Sequence, residues 1–132
     1  MKVLFVCSGN AYRSPLAEAL LKKLRPDLEI DSAGLHVVIP ISIQVKTYLA
    51  KQNAAQYLKK VSQSIEEKDL RCYDLIVTME LIHTKAVLRL CPECKTRIVE
   101  WNIEDPYFLK NEDDRKIYAQ IENKVEELAK SL

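Results

Sequence analysis

A doubly wound α/β fold, with a four-stranded parallel sheet and helices on both faces, is what this sequence predicts, and three observations carry the prediction. Val3-Leu4-Phe5-Val6 and Leu75-Ile76-Val77 are apolar without alternation, as strands covered on both faces require. Between and after them lie stretches with apolar residues at helical spacing. Strand and helix signals alternate along the whole chain, which favours parallel pairing through right-handed crossovers and puts ligand sites at the C-terminal ends of strands.

In chain order, Lys2–Val6 reads as a central strand. Pro15–Arg25 follows as a helix with Leu16, Leu20, Leu21 and Leu24 on one face and Glu18, Lys22 and Lys23 on the other. Pro26 stops it, because the residue before a proline is pushed out of the α region. Leu28–Ala33 is a second strand ending at Gly34, and Ser42–Asn53 a helix with Ile43, Tyr48 and Leu49 as its apolar positions. Ser64-Ile65-Glu66-Glu67 fits a capping box, so a short helix should run from there to about Cys72. Asp74–Met79 is the third strand, Glu80–Leu90 a helix and Arg97–Trp101 the fourth strand. After an Asp-Pro turn, Asp113–Leu132 is a long helix with Ile117, Ile121, Val125, Leu128 and Leu132 on one stripe. No repeat, linker or low-complexity segment interrupts the pattern, so residues 1–132 are expected to form one domain.

The segment with chemistry in it is Cys7-Ser8-Gly9-Asn10-Ala11-Tyr12-Arg13-Ser14, directly after the first strand. A loop through Ser8, Gly9, Asn10 and Ala11 can turn its backbone N–H groups inward as an anion-binding nest, and Gly9 and Asn10 best tolerate the positive φ that such curling needs. Arg13 adds a planar fork that matches two phosphoryl oxygens. Ser14 and Pro15 read as N-cap and first residue of a helix whose positive end faces the loop. Donors that would hold a phosphate dianion also favour the thiolate form of Cys7, giving a nucleophile against a bound phosphoryl group. Taken alone, a cysteine and an arginine six positions apart is a weak pattern; strand, Gly-Asn turn and Ser-Pro helix start around it make it specific.

Val6 to Ala19 resembles the phosphate-binding loop of the low-molecular-weight protein tyrosine phosphatases, whose signature is Cys, five residues, Arg and then Ser or Thr. Ser32-Ala33-Gly34, Asp74 to Met79 and Asp105-Pro106-Tyr107 recur in the family's order, so the resemblance spans nearly the whole chain. It implies a two-step reaction at a phosphoryl loop formed by Ser8, Gly9, Asn10, Ala11, Tyr12, Arg13 and Ser14. Cys7 attacks phosphorus, Arg13 and the loop hold the oxygens, and a phosphocysteine is then hydrolysed to inorganic phosphate, with the Ser14 hydroxyl placed to stabilise the departing thiolate and no metal or cofactor. Asp105 is read from the residues as either a turn cap or an acid; the resemblance favours the general acid that protonates the leaving oxygen. Tyr107 and Phe108 are read as core or cleft residues, and in the family aromatics here line the substrate cleft. The implied substrate is a phosphotyrosine protein or a small aryl phosphate.

Composition narrows the partners. Lys+Arg 20 against Asp+Glu 19 leaves a net charge of +1, which speaks against nucleic acid or an anionic membrane surface as a ligand. The apolar N-terminal run is far shorter than a signal peptide or spanning helix, so a cytoplasmic protein is expected. Four cysteines in 132 residues are not a secreted disulfide framework and suit a reducing compartment.

The sequence departs from the family at two places. Tyr12 stands where relatives often carry a second cysteine that protects the nucleophile, so Cys7 should be open to irreversible oxidation. The polar motif that follows the second helix in relatives has no counterpart between Asn53 and Ser64. Cys72 and the Cys91-Pro92-Glu93-Cys94 pair raise a rival reading, an arsenate reductase of the same fold that passes a disulfide from Cys7 through further thiols. A zinc site from Cys72, Cys91, Cys94 and His83 would match no compact spacing, and a turn with two tolerated thiols or a local disulfide is the simpler use of the pair. His36 and His83 read as ordinary surface or satisfied residues.

Overall fold

A computed structural model describes residues 1–106 and 114–132. Four strands form one sheet: β1 Lys2–Cys7, β2 Glu29–Gly34, β3 Leu75–Thr78 and β4 Ile98–Glu100. Their order is β2-β1-β3-β4 and every pairing is parallel. The register sets Val3 beside Ile30 and Leu75, and Cys7 beside Gly34. The helices are α1 Arg13–Leu24, α2 Ile43–Lys51, α3 Leu81–Leu90 and α4 Asp114–Ser131. The doubly wound sheet expected from the sequence is therefore the one observed.

Alternation along β1 divides the interior into two layers. Val3 and Phe5 pack with Val77 against Leu16, Leu21, Val45, Leu49, Ile117, Ile121 and Val125, so α1, α2 and α4 cover one face. Leu4, Val6 and Ile76 face Ile65, Leu70, Val87, Cys91 and Cys94 on the other face, beneath α3. The chain winds from β1 outward to β2, then back across to β3 and β4. Loops leaving β1 and β3 therefore diverge, and the crevice they open is where such sheets bind ligands. Cys7, the last residue of β1, stands at its edge.

Several details differ from expectation for identifiable reasons. The predicted helix from Ser64 to Cys72 is two single 3-10 turns, Ile65–Glu67 and Leu70–Cys72. The capping box at Ser64 is present, but Lys68 beyond it is extended, so the turn does not propagate. α1 begins at Arg13, not Pro15: Tyr12 is its N-cap and Ser14 lies inside the first turn, buried. Of the two residues expected at positive φ, only Asn10 adopts it, at 51°. Glu18, assigned to the polar face of α1, is 2% exposed, and in α2 the inward residue is Val45 while Ile43 points to solvent. Tyr107, Phe108 and Asp113, the first residue of the predicted last helix, lie outside the described residues.

Candidate active site

The loop from Cys7 to Arg13 is braced from outside through its carbonyls. Leu35 N donates to Cys7 O at 3.2 Å, His36 N to Ser8 O at 2.8 Å, Ser62 Oγ to Asn10 O at 2.7 Å and Ser42 N to Ala11 O at 2.8 Å. A peptide plane carries its N–H opposite its C=O. Four outward carbonyls thus turn the N–H groups of Ser8, Gly9, Ala11 and Tyr12 toward the loop centre, which is the anion nest inferred from the sequence. The positive φ of Asn10 makes the bend, and its side chain locks it: Oδ1 accepts from Gln63 N at 2.8 Å. Nδ2 donates to Ser14 Oγ and Ser32 Oγ, both at 2.9 Å. Gly34, beside Cys7 in the sheet, allows this close approach, because a Cβ there would lie 2.6 Å from Asn10 N and 2.7 Å from Gly9 C.

Cys7 is buried, with Sγ 2.9 Å from Ser14 Oγ. Ser14 is therefore a partner of the sulfur, where the resemblance put its hydroxyl, and not the helix cap that its place before Pro15 suggested. Arg13, 2% exposed, enters the site from the first residue of α1. Its Nη1 donates to Glu80 Oε1 at 2.5 Å and to Ile103 O at 2.8 Å, which fixes the plane of the guanidinium. Its Nη2 lies 3.6 Å from Asp105 Oδ2 and 3.5 Å from Ser8 Oγ. Glu80 was not foreseen as a site residue; it reaches Arg13 because it ends the crossover from β3 and opens α3.

His83 was read as ordinary and is part of the site. It is fully buried on α3, with Nε2 2.9 Å from Ser8 Oγ, while Nδ1 accepts the Glu80 backbone N–H at 3.0 Å. An Nδ1 that accepts leaves the proton on Nε2, so the neutral ring donates to Ser8. Burial first and the Arg13 charge second lower its pKa, against the opposing pull of Asp105, to about 4. The Glu-x-x-His spacing at a helix start was the available signal for both residues.

Cys7, Ser8, Gly9, Ala11, Tyr12, Arg13 and Asp105 line one cleft of about 200 Å³, walled on its open side by His36, Val38 and Ile39. A larger groove of about 510 Å³ between α2 and α4 contains none of these residues. Tyr12 stacks on Tyr118, with ring centroids 5.7 Å apart, and Tyr118 on Tyr48 at 4.2 Å, tying the loop to α4 and α2. The expected cleft residues Tyr107 and Phe108 lie outside the described residues.

The remaining cysteines are not at this cleft. Cys91 and Cys94 form a disulfide, and both are buried beneath the sheet face that Cys7 does not share. Cys94 lies against Leu70 O, and Arg97 Nη1 donates to the carbonyls of Arg71 and Tyr73. Cys72 and the pair thus gather just before β3 and β4 begin, at the opposite end of the strands from Cys7. A six-residue strand puts roughly 20 Å between the two ends. The rival reading, a relay through Cys72, Cys91 and Cys94, is not supported: thiol–disulfide exchange needs sulfurs in contact, and the parallel topology separates them. His83 is engaged with Ser8, so the four-ligand zinc set is not brought together either, and among the described residues no group of three His, Cys, Asp or Glu side chains could hold a metal.

Comparison with known proteins agrees with this geometry. A profile described as low molecular weight phosphotyrosine protein phosphatase matches residues 2–132. The chain is 31% identical to the low molecular weight protein-tyrosine-phosphatase Wzb of Escherichia coli strain K12, over 98% of this chain and 94% of that protein. It is 30% identical to Etp of the same strain, over 98% and 93%. The structure of Vibrio vulnificus Wzb in complex with benzylphosphonate superposes with a TM-score of 0.85 at 29% identity, covering 99% of this chain and 98% of the other. These relatives favour the tyrosine phosphatase reading over arsenate reduction, as the separation of the thiols does. The chain belongs to the low molecular weight phosphotyrosine protein phosphatase family.

Proposed function

We propose that this protein hydrolyses phosphotyrosine in proteins, and small aryl phosphates, through a phosphocysteine intermediate on Cys7. The observation that carries the reading is the junction of Cys7, the inward N–H groups of its loop and the fixed guanidinium of Arg13 in one cleft with Asp105. Substrate enters with its phosphoryl oxygens on the Ser8, Gly9, Ala11 and Tyr12 N–H groups and on Arg13. Cys7 Sγ forms the S–P bond as the P–O bond to the leaving group breaks, and Asp105 in its acid form gives that oxygen a proton. Asp105, now a carboxylate, takes a proton from water; the new hydroxyl forms the P–O bond, the S–P bond breaks and inorganic phosphate leaves. Ser14 Oγ–H, 2.9 Å from Sγ, stabilises the departing thiolate.

Residues 1–132 act as one catalytic domain in this reading. Tyr107 and Phe108, which follow the acid in the sequence, are the aromatic side chains proposed to meet the substrate ring. Among the described residues no helix is long and apolar enough to cross a membrane. A reducing cytoplasm is the fitting compartment, because the chemistry needs Cys7 reduced. The test is hydrolysis of an aryl phosphate from mildly acidic to neutral pH. Cys7→Ser should abolish turnover, and Asp105→Asn should lower kcat by about 10²–10⁴-fold, the usual contribution of a positioned acid. Arsenate reduction with a thiol donor and no phosphate release would overturn the reading.

A further inference from the structure

Ser8 follows the nucleophile and lines the cleft, and its hydroxyl meets a side chain from α3. Ser8 Oγ lies 2.9 Å from His83 Nε2 and 3.5 Å from Arg13 Nη2. His83 is buried beneath it, and its ring is fixed at the other nitrogen, since Nδ1 accepts from Glu80 N at 3.0 Å. That bond comes from the backbone at the start of α3, so the ring is held by the fold and not by Ser8.

The hydrogens follow from these contacts. An Nδ1 that accepts a backbone N–H carries no proton, so in the neutral ring the proton sits on Nε2 and points at Ser8 Oγ. Burial and the Arg13 charge, which lower the His83 pKa to about 4, keep the ring neutral at neutral pH. A guanidinium has donors only. Both partners of Ser8 Oγ among the described residues are therefore donors, and the hydroxyl's own hydrogen is left for an acceptor in the cleft. The same tautomer excludes a second use of the pair: an Nε2 that already holds a proton cannot take one from Ser8, so Ser8 is not a nucleophile activated by histidine.

We propose that the Ser8 hydroxyl is a side-chain donor to the bound phosphoryl group, aimed into the cleft by His83. The proposal rests on the phosphatase reading and adds one donor to the backbone N–H groups and Arg13. Arg13 Nη2 is 3.5 Å from Ser8 Oγ and 3.6 Å from Asp105 Oδ2. Two donors at that separation can share one oxygen at about 2.8 Å from each, so an oxygen bound by Nη2 falls within reach of Ser8. Of the two contacts on the hydroxyl, the His83 bond is the shorter and comes from a side chain that takes no part in holding substrate. It persists while Arg13 engages the phosphoryl group. Ser8 is thus the residue that touches substrate, and His83 positions it.

The test is steady-state hydrolysis of an aryl phosphate, with inorganic phosphate as competing ligand, by the full-length wild type, Ser8→Ala, Ser8→Thr, His83→Leu and Ser8→Ala combined with His83→Leu. Losing one hydrogen bond to a charged acceptor should raise KM and the phosphate inhibition constant of Ser8→Ala together, by about tenfold. The turnover number should change little, because the bond is made in the ground and transition states alike. Ser8→Thr keeps the hydroxyl and should recover most of the loss. His83→Leu should weaken phosphate binding in the wild-type background and have no effect once the hydroxyl is gone, as a residue acting through Ser8 must. Constants unmoved in Ser8→Ala, or a His83→Leu effect that is as large without the hydroxyl, overturn the proposal. So does a shifted alkaline limb of kcat with both constants unmoved, which would send the hydrogen to Asp105. Where His83→Leu does not fold, Ser8→Ala against Ser8→Thr decides. Alkylation of Cys7 by iodoacetamide should match wild type in Ser8→Ala; slowed alkylation would mark a misshapen loop and defeat the proposal. A wild type that hydrolyses no aryl phosphate would instead defeat the phosphatase reading itself, so the two failures are distinct.

Discussion

Acidification should loosen this protein through His83. The ring is buried and neutral, donating from Nε2 to Ser8 Oγ and accepting at Nδ1 from Glu80 N, with the Arg13 cation close by. A proton on Nδ1 would break the second bond and set two positive charges together. The pKa falls from 6.5 to about 4 on folding. Between these values the unfolded chain binds the proton and the folded chain does not, so the contribution is complete above about pH 6.5 and is lost as pH falls toward 4. A difference of that size is worth about 3 kcal/mol. Denaturant unfolding of the wild type and of His83→Gln from neutral pH to about pH 4 isolates it, since carboxylates titrate alike in both. The wild type should lose about 3 kcal/mol relative to the variant across that window. A difference that stays flat with pH, or an NMR titration of His83 centred at 6.5, would refute the reasoning.

Four further outcomes follow from the geometry. Gly34→Ala places a Cβ against backbone atoms of Asn10 and Gly9 that cannot rotate away, so the loop must shift; kcat on an aryl phosphate should fall about 100-fold, the usual result of a misplacement near 1 Å. Glu80→Gln keeps the shape but removes the charge that holds Arg13, and kcat/KM should fall about 10-fold or more, with an unchanged value showing that Ile103 O suffices to orient the guanidinium. Replacing Cys91 and Cys94 by serine opens a four-residue loop, for which chain entropy gives about 2 kcal/mol of lost stability, while turnover stays unchanged. Peroxide should inactivate the protein in a way that added thiols do not reverse; full recovery would mean that another sulfur reaches Cys7.

Residues whose role is local were legible in the sequence, and residues whose role is to meet across the fold were not. Periodicity placed all four strands and all four helices, because burial on one or two faces imprints directly on apolar spacing. The Cys7 to Arg13 loop was legible because its chemistry is written in consecutive residues. Ser14 read as a helix cap from its place before Pro15 and as the sulfur's partner only through the family resemblance, because the turn of the loop that aims its hydroxyl at the sulfur leaves no mark in the sequence. Glu18 looked like solvent-facing charge since its partner Ser32 lies on β2, and His83 meets the loop from α3, far away in sequence. Polar residues carry no periodic mark when they are buried, so a network assembled from four elements left nothing for a pattern to find.

The outward bracing of the loop carbonyls has a further consequence for how the site meets its own product. With its carbonyls held by Leu35, His36, Ser42 and Ser62, the ring of N–H groups requires little ordering when an oxyanion arrives. Such a ring cannot distinguish a phosphoryl group still attached to tyrosine from one that has just been released. Free inorganic phosphate, and other tetrahedral dianions of similar size, should then compete for the empty site, and the working rate would follow the phosphate level around the protein as well as the supply of substrate.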